Sequence, residues 1–459
     1  MRILWLCNIM LPVIAEHLNR EATNKEGWLS GLADVVLERQ QENGITLAVA
    51  FPAPEEIISA ETGIYEKVIP VKNGMLYCYG FAEDVTRPDV YDAALERRML
   101  QITERFQPDV VHCYGTEYPH TLAMCRVFPQ KEKILIGIQG LCTLCAEVYF
   151  ANLPQKVLRS VTLRDFLRRD SIREQQEKFA RRGKMEKEAV GLAGNITGRT
   201  AWDRHYTKKW NPAANYYVMN ETLRSCFYQG QWEESACVPH SIFLSQGDYP
   251  LKGLHFMLLA LPAIIRKYPR TKVYVAGNSI VNTTTIKDKL KISAYGKYLR
   301  DLIQREKLEE HVKFLGRLNA AEMKERYLKS HLFVCCSVLE NSPNSLGEAM
   351  LLGVPCVSAK VGGIESIFRG GEDGILYEFS CERKREIPFE GSGGVGETKH
   401  LEENAKRLAN AVLEMWENRE KMNDYRKNAR KHAEKTHDRE QNYRRMAEIY
   451  AKIIAGETE

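Results

Sequence analysis

Ser337-Val-Leu-Glu-Asn-Ser-Pro-Asn-Ser-Leu-Gly-Glu-Ala-Met-Leu-Leu-Gly-Val-Pro355 is the stretch on which the fold turns. The run from His331 to Val338 has the length and apolar, β-branched content of a buried strand. After a short loop with Pro343 and Asn344, a helix is predicted from near Ser345. It stops at Gly353, with Pro355 just beyond, a usual stop signal. Glu340 then lies just past the carboxyl end of a strand, and Glu348 in the first turn of the next helix. In an open α/β sheet ligands bind at this place, and the free N–H groups of a helix start suit a diphosphate. A second reading stands beside the first. Ser345-Leu-Gly-Glu348 has the form of a capping box, in which both side chains satisfy the helix's own amides.

Outward from this stretch, strand and helix signals alternate along most of the chain. Runs at 1–8, 45–52, 109–115, 133–140 and 195–200 read as strands with amphipathic helices between most of them, and 215–221 as the last strand of that half. Residues 222–240 show no clear periodicity. The pattern restarts at Ser241, with strands at 241–246, 271–278, 311–316, 331–338 and 354–359. Such alternation predicts parallel sheets covered on both faces, and 459 residues are enough for two domains. A glycine-rich stretch between Cys381 and Glu402 reads as a surface loop, and 400–455 as helical.

The composition is 44% hydrophobic and 27% charged, that of a soluble globular protein. A net charge of +5 is too small an excess to argue for a nucleic-acid partner. Several of the twelve cysteines (Cys7, Cys113, Cys335, Cys336, Cys356) sit inside apolar runs, as small buried residues of a reducing, cytoplasmic compartment do. Cys142 and Cys145 form a CxxC with no second pair at zinc-ribbon spacing. Asn8 and Pro12 break the apolar N-terminus, which reads as a strand and turn rather than a signal peptide. No run of 18 apolar residues occurs. No DxD triplet and no His/Cys ligand cluster is found, so no metal site is predicted.

The glutamate pair around a helix N-terminus, with its preceding strand, resembles the retaining glycosyltransferases of family 4 (group 1 glycosyltransferases). The resemblance is specific from Ser241 to Tyr377 and a matter of pattern before that. It implies an α/β fold of GT-B type: two doubly wound parallel-sheet (Rossmann-like) domains facing each other across a cleft. Residues 1–221 would form the acceptor-side domain, 222–240 a linker, 241–435 the nucleotide-sugar domain, and 436–459 a helix crossing back to the first domain.

By the same resemblance Glu340 would contact the donor sugar's hydroxyls and Glu348 the ribose hydroxyls. Backbone near Asn344, Ser345 and Leu346 would face the phosphates. Lys252 stands in the turn after the first strand of the second domain, where an ammonium can meet a departing diphosphate. It matches the lysine of the family's arginine-then-lysine motif, but the arginine's place holds Gly247. Gly362 and Gly363 resemble a turn that lets backbone approach the nucleotide or sugar, and a tight turn without a ligand is the alternative. Leu318 follows a strand where relatives bond the base through backbone. Gly27, in Asn24-Lys-Glu-Gly27, resembles a glycine that touches the donor phosphate. His112 ends a strand as an acceptor-side catalytic residue would, or as a histidine satisfied by packing would. Gln139 stands where many relatives carry a histidine.

The resemblance thus implies metal-independent, retaining transfer of a hexosyl-type unit from a nucleotide diphosphate sugar, UDP being the more frequent carrier. The acceptor would be a saccharide or lipid-linked hydroxyl in polysaccharide or glycolipid assembly, and the donor is a substrate, with no cofactor besides. Two rivals remain: a non-catalytic nucleotide-sugar-binding subunit, which the missing arginine and histidine favour, and a GT-B nucleotide-sugar epimerase. The segment 156–187 is densely basic. Written as a helix it sets Val161, Phe166 and Leu167 among arginines, the pattern of peripheral contact at the inner membrane face, or else of a solvated helix with Arg/Glu pairs.

Overall fold

The computed structural model describes residues 1–20, 27–42, 44–282, 285–381 and 395–458. Its first sheet is built from β1 (Arg2–Leu6), β2 (Thr46–Pro52), β3 (Ile64–Val71), β4 (Gly74–Phe81), β5 (Val110–Tyr114), β6 (Ile134–Gly137), β7 (Asn195–Gly198) and β8 (Asn215–Val218). Among the described residues the order is β3-β4-β2-β1-β5-β6-β7-β8, parallel apart from the β3–β4 pair. That hairpin is not among the strands predicted from the sequence. Its edge strand exposes Glu66 and Lys67, which hides the apolar alternation, and the two strands are joined by only Lys72 and Asn73, with Val71 paired to Gly74.

The second sheet holds β9 (Val238–Leu244), β10 (Lys272–Ala276), β11 (Val312–Gly316), β12 (Ser330–Cys335), β13 (Cys356–Lys360) and β14 (Ile375–Glu378). Its order is β11-β10-β9-β12-β13-β14, parallel throughout. The short edge strand β14 was also not predicted. Central strands such as β5 and β12 are buried along their whole length, as parallel strands covered by helices on both faces must be. Each sheet has a point where the winding reverses: between β1 and β5 in the first, between β9 and β12 in the second.

By contacts the chain divides into two units, one of residues 1–143, 178–224 and 436–459, the other of 144–177 and 225–435. This division is interleaved, whereas the boundaries read from sequence were contiguous blocks. Residues 144–177 count with the second unit because buried polar groups bind them there. Asp165 accepts the Ala294 N–H at 2.8 Å, His255 Nε2 lies 2.9 Å from Ala151 O, and Asn152 Nδ2 donates to Ser380 O at 2.6 Å. The stretch without periodicity is no loose tether: Phe227 and Trp232 are fully buried, and the Trp232 indole donates to Ser330 O at 2.7 Å. In the first unit the helix Arg439–Ala455 packs on the helix Gly27–Glu38, with Ile449 and Ile453 in the core.

The basic segment 156–187 is not one helix. It comprises the helices Gln155–Leu158 and Leu163–Arg168 and the start of a longer one, Ile172–Leu192. Most of the expected loop between Cys381 and Glu402, residues 382–394, lies outside the described residues.

Candidate active site

Beyond β9 the chain runs through Gly247 and Tyr249 into a single 3-10 turn, Pro250–Lys252, and enters the helix Leu254–Lys267 at Gly253. Gly253 has φ +70°, and a Cβ there would lie 1.9 Å from Cys336 O, so only glycine lets this loop press on the end of β12. Val338 N donates to Leu251 O at 2.8 Å across the same seam. Held in this way, Lys252 Nζ lies 2.6 Å from Glu340 Oε1, with the two side chains only 21% and 14% exposed. Burial opposes the lysine's charge, but the Glu340 carboxylate and neighbouring Tyr249 outweigh it and hold the ammonium above the usual lysine range. The result is a permanent cation at the second sheet's reversal point.

Glu340 is braced from its other side as well. Gly363 N donates to Glu340 O at 2.9 Å, and a Cβ on Gly362, at φ +54°, would sit 2.0 Å from that carbonyl. The glycine pair therefore has a direct packing reason: it places the backbone of Glu340.

The following helix, Asn344–Leu352, has Pro343 at its N-cap and no side-chain cap. Two expectations are corrected here. The capping box does not form, because Pro343 moves the start upstream and leaves Ser345 inside the helix. Glu348 then falls in the second turn instead of the first. It is buried, with Oε2 3.5 Å from the Tyr327 hydroxyl, which donates to Ser345 O at 2.9 Å. Leu346 N–H turns back onto Pro343 O at 3.0 Å, so among the predicted phosphate contacts the amides of Asn344 and Ser345 are the better placed. Leu318 lies between β11 and the helix Ala320–Leu328, next to Arg317, whose Nε donates to Asn278 Oδ1 at 3.0 Å.

Lys252, Leu318, Glu340, the Asn344 helix start and Gly362-Gly363 all follow carboxyl ends of strands in one sheet. A hollow of about 250 Å³ adjoins Tyr249, lined also by Asp165, Asp248, Ser279 and Tyr295. No cation stands at position 247. A Cβ there would meet Leu254 Cδ2 at 2.7 Å and Val275 Cγ1 at 3.0 Å, so an arginine could enter only by displacing packed side chains.

In the first unit His112 is not at a strand end. It is the third residue of β5 and fully buried, its Nδ1 2.8 Å from the Tyr450 hydroxyl and its ring stacked 3.9 Å from Tyr114. Burial drives its pKa down to about 3, so the ring is neutral. Its Nδ1 is satisfied by packing, while its Nε2 has no hydrogen-bond partner among the described residues and the residue lines a small hollow with Gln139, Arg199 and Glu221. Gly27 is the first residue of its helix, and Asn24 to Glu26 lie outside the described residues.

Sequence reasoning passed over Arg199, which follows β7. It forms a buried ion pair with Glu221 and donates to Gln139 Oε1 at 3.1 Å. Its place just past a strand was the only local signal. The same unit carries a hollow of about 900 Å³ lined by Asn8, Glu83, Asp84, Asp92 and Arg98, among others.

Sucrose-phosphate synthase from Thermosynechococcus elongatus superposes over 99% of this chain and 100% of its own, with a TM-score of 0.65 at 13% identity. The fold is GT-B. A second GT-B structure, Anabaena HepE in complex with UDP-glucose, covers 98% of this chain and 100% of its own, with a TM-score of 0.61 at 15% identity. Within this GT-B chain, residues 240–384, which hold Lys252, Glu340 and Glu348, match the family model described as glycosyl transferases group 1. Spore coat protein SA of Bacillus subtilis is 28% identical over 131 residues, 28% of this chain and 33% of that protein. The chain spans a third or less of the length of the curated relatives it matches.

Proposed function

We propose that this GT-B protein is a retaining glycosyltransferase that moves a sugar from a UDP-sugar to an acceptor hydroxyl in polysaccharide or glycolipid assembly. The observation that carries the reading is the 2.6 Å contact of Lys252 with Glu340 at the β9/β12 reversal, inside the segment that matches the group 1 model. The UDP-glucose bound to HepE supports the choice of nucleotide. Nine of the twelve cysteines are buried, as small apolar residues of a reducing, cytoplasmic setting are, which supports that location.

The chemistry follows from the charges. As the bond from the sugar's anomeric carbon to the diphosphate breaks, negative charge grows on the leaving phosphate oxygen. Lys252 and the amides of Asn344 and Ser345 meet that charge, and no metal is called on. Glu340 accepts from the sugar's hydroxyls and favours an oxocarbenium-like centre. Glu348, in the second turn of the helix, receives the ribose hydroxyls. The acceptor hydroxyl attacks on the face that the diphosphate leaves and gives its proton to the departing phosphate oxygen, so the anomeric configuration is kept. The hollow of the first unit, with Glu83, Asp84, Asp92 and Arg98 among apolar walls, is where we place the acceptor.

A thermal-shift screen against UDP, GDP, ADP and their sugars tests the donor site, because a ligand bound only by the native state raises the midpoint. A shift with UDP compounds that disappears in Glu348→Ala is expected. No shift with any nucleotide sinks the reading. NMR of the product from an α-linked donor tests the stereochemistry: an α product is expected, and a β product ends the retaining assignment. The crowding at Gly247 favours one rival, a binding subunit without transfer, which would give the UDP shift with no turnover of any acceptor.

A further inference from the structure

The helix Leu163–Arg168 is built inside out. Its only fully buried side chain is Asp165, while Leu163, Phe166 and Leu167 are 54%, 72% and 71% exposed. Residues at i, i+3 and i+4 share one helix face, so these three form a single apolar ridge, with Val161 (56% exposed) just upstream. What fixes the helix is its polar side. Thr162 and Asp165 make a capping box, and Asp165 also accepts the Ala294 N–H at 2.8 Å. An anchored Asp beneath an outward Phe-Leu ridge marks an interaction surface, since packing alone would turn the ridge inward.

The exposed charges of the ridge segment have one sign. Lys156, Arg159, Arg168, Arg169 and Arg173 are exposed, and no acidic residue between 156 and 173 is. Arg164 is set apart, bridging Asp165 at 2.9 Å and Asp170 at 3.0 Å. The helix Ile286–Lys291 packs against the ridge helix and adds exposed Leu290 and Lys291, with its one acid, Asp288, half-buried and turned to the Thr285 hydroxyl at 2.7 Å. Among the described residues no helix is long and apolar enough to cross a membrane.

We propose that this face, residues 156–173 with Leu290 and Lys291, docks peripherally on an anionic lipid bilayer, with Phe166 and Leu167 inserted at the level of the headgroups. The charge complementarity selects the occupant. A second copy would set the same cations against themselves, whereas arginines beside an apolar ridge can lay their stems along it and place their heads among lipid phosphates. The inference narrows the basic segment to its first part and does not rest on the transfer reaction.

The test uses the full chain and sedimentation with neutral phosphatidylcholine vesicles and with vesicles containing about 30% phosphatidylserine. Binding to the anionic vesicles only, weakened by salt, is expected. The Phe166→Ser/Leu167→Ser double variant should bind at least about tenfold more weakly. Both side chains are exposed, so its melting midpoint and any UDP-induced shift should match the parent, which separates failure here from failure of the donor site. Equal vesicle binding by parent and variant overturns the proposal, as does no binding by the parent. A parent dimer in sedimentation velocity that the variant abolishes, without lipid binding, would assign the face to a second copy instead.

Discussion

The two sheets reverse their winding in the same way, and the residues beside the two reversals have opposite fates. In the second unit Lys252 and Glu340 sit in loops past β9 and β12, partly open to solvent and locked as an ion pair. In the first unit His112 sits within β5, stacked on Tyr114 and closed over by Tyr450, whose hydroxyl also accepts from the Trp5 indole at 2.8 Å. A reversal point makes a crevice available. Chemistry then depends on whether the residue lies on a loop beyond the strand or in its body, and on what covers it.

The strongest way to break this contrast is to exchange the expected losses. Glu340→Ala or Lys252→Ala should lower kcat/KM for transfer by about 10³-fold or more, as loss of a charge-stabilising group does. Initial rates with a UDP-sugar read this, and a loss under tenfold would remove the pair from the reaction.

The first unit should answer pH where the second answers mutation. Burial pushes the Glu186 carboxyl up to about 7, against the lowering effect of hydrogen bonds from Thr143, Thr116 and Cys142. Its native pKa stands above the ordinary 4.5, so its contribution to stability is complete below about pH 4.5 and is lost as pH rises through about 7. The loss comes to about 3 kcal/mol. Denaturant midpoints of the parent should therefore fall over that range relative to Glu186→Gln, and parallel curves would refute the buried-charge account.

Gly362→Ala sharpens the comparison, since it touches Glu340 only through backbone. A methyl group pushed against Glu340 O should cost about 10- to 100-fold in kcat/KM by misplacing the carboxylate, with no charge altered. Unchanged rates would mean that the turn is slack. The smallest effect on activity is expected at His112. His112→Phe should lower stability by about 1–3 kcal/mol through the Tyr450 hydroxyl left without its ring nitrogen. Transfer per folded molecule should stay within about threefold of the parent. A loss as large as that of Lys252→Ala would restore His112 to the catalytic centre.

Much of the second unit was legible because its signals are local. The apolar, β-branched run before Glu340 and the stop at Gly353, found at φ +71°, each depend on a few neighbouring residues. The capping box misled because Pro343, two residues upstream of Ser345, took the cap position instead. The β3–β4 hairpin escaped because an edge strand need not be apolar on both faces. Tyr327, beneath Glu348, gave no signal at all: an aromatic on a helix face looks the same whether it fills a core or holds a carboxylate.

By itself the sequence determined the alternation of strand and helix, the loops where polar chemistry emerges, and the residue types at those loops. Propensity, capping and periodicity act over a few residues, so the chain carries them without reference to the rest. Tertiary structure alone decided that β12 lies beside β9, bringing Glu340 to Lys252 across 88 residues. It alone closed Tyr450 over His112 across 338 residues, and turned Phe166 and Leu167 outward by anchoring Asp165. Such choices follow from which neighbours bury the most surface and satisfy the most polar groups over a whole unit, a sum that no local window contains.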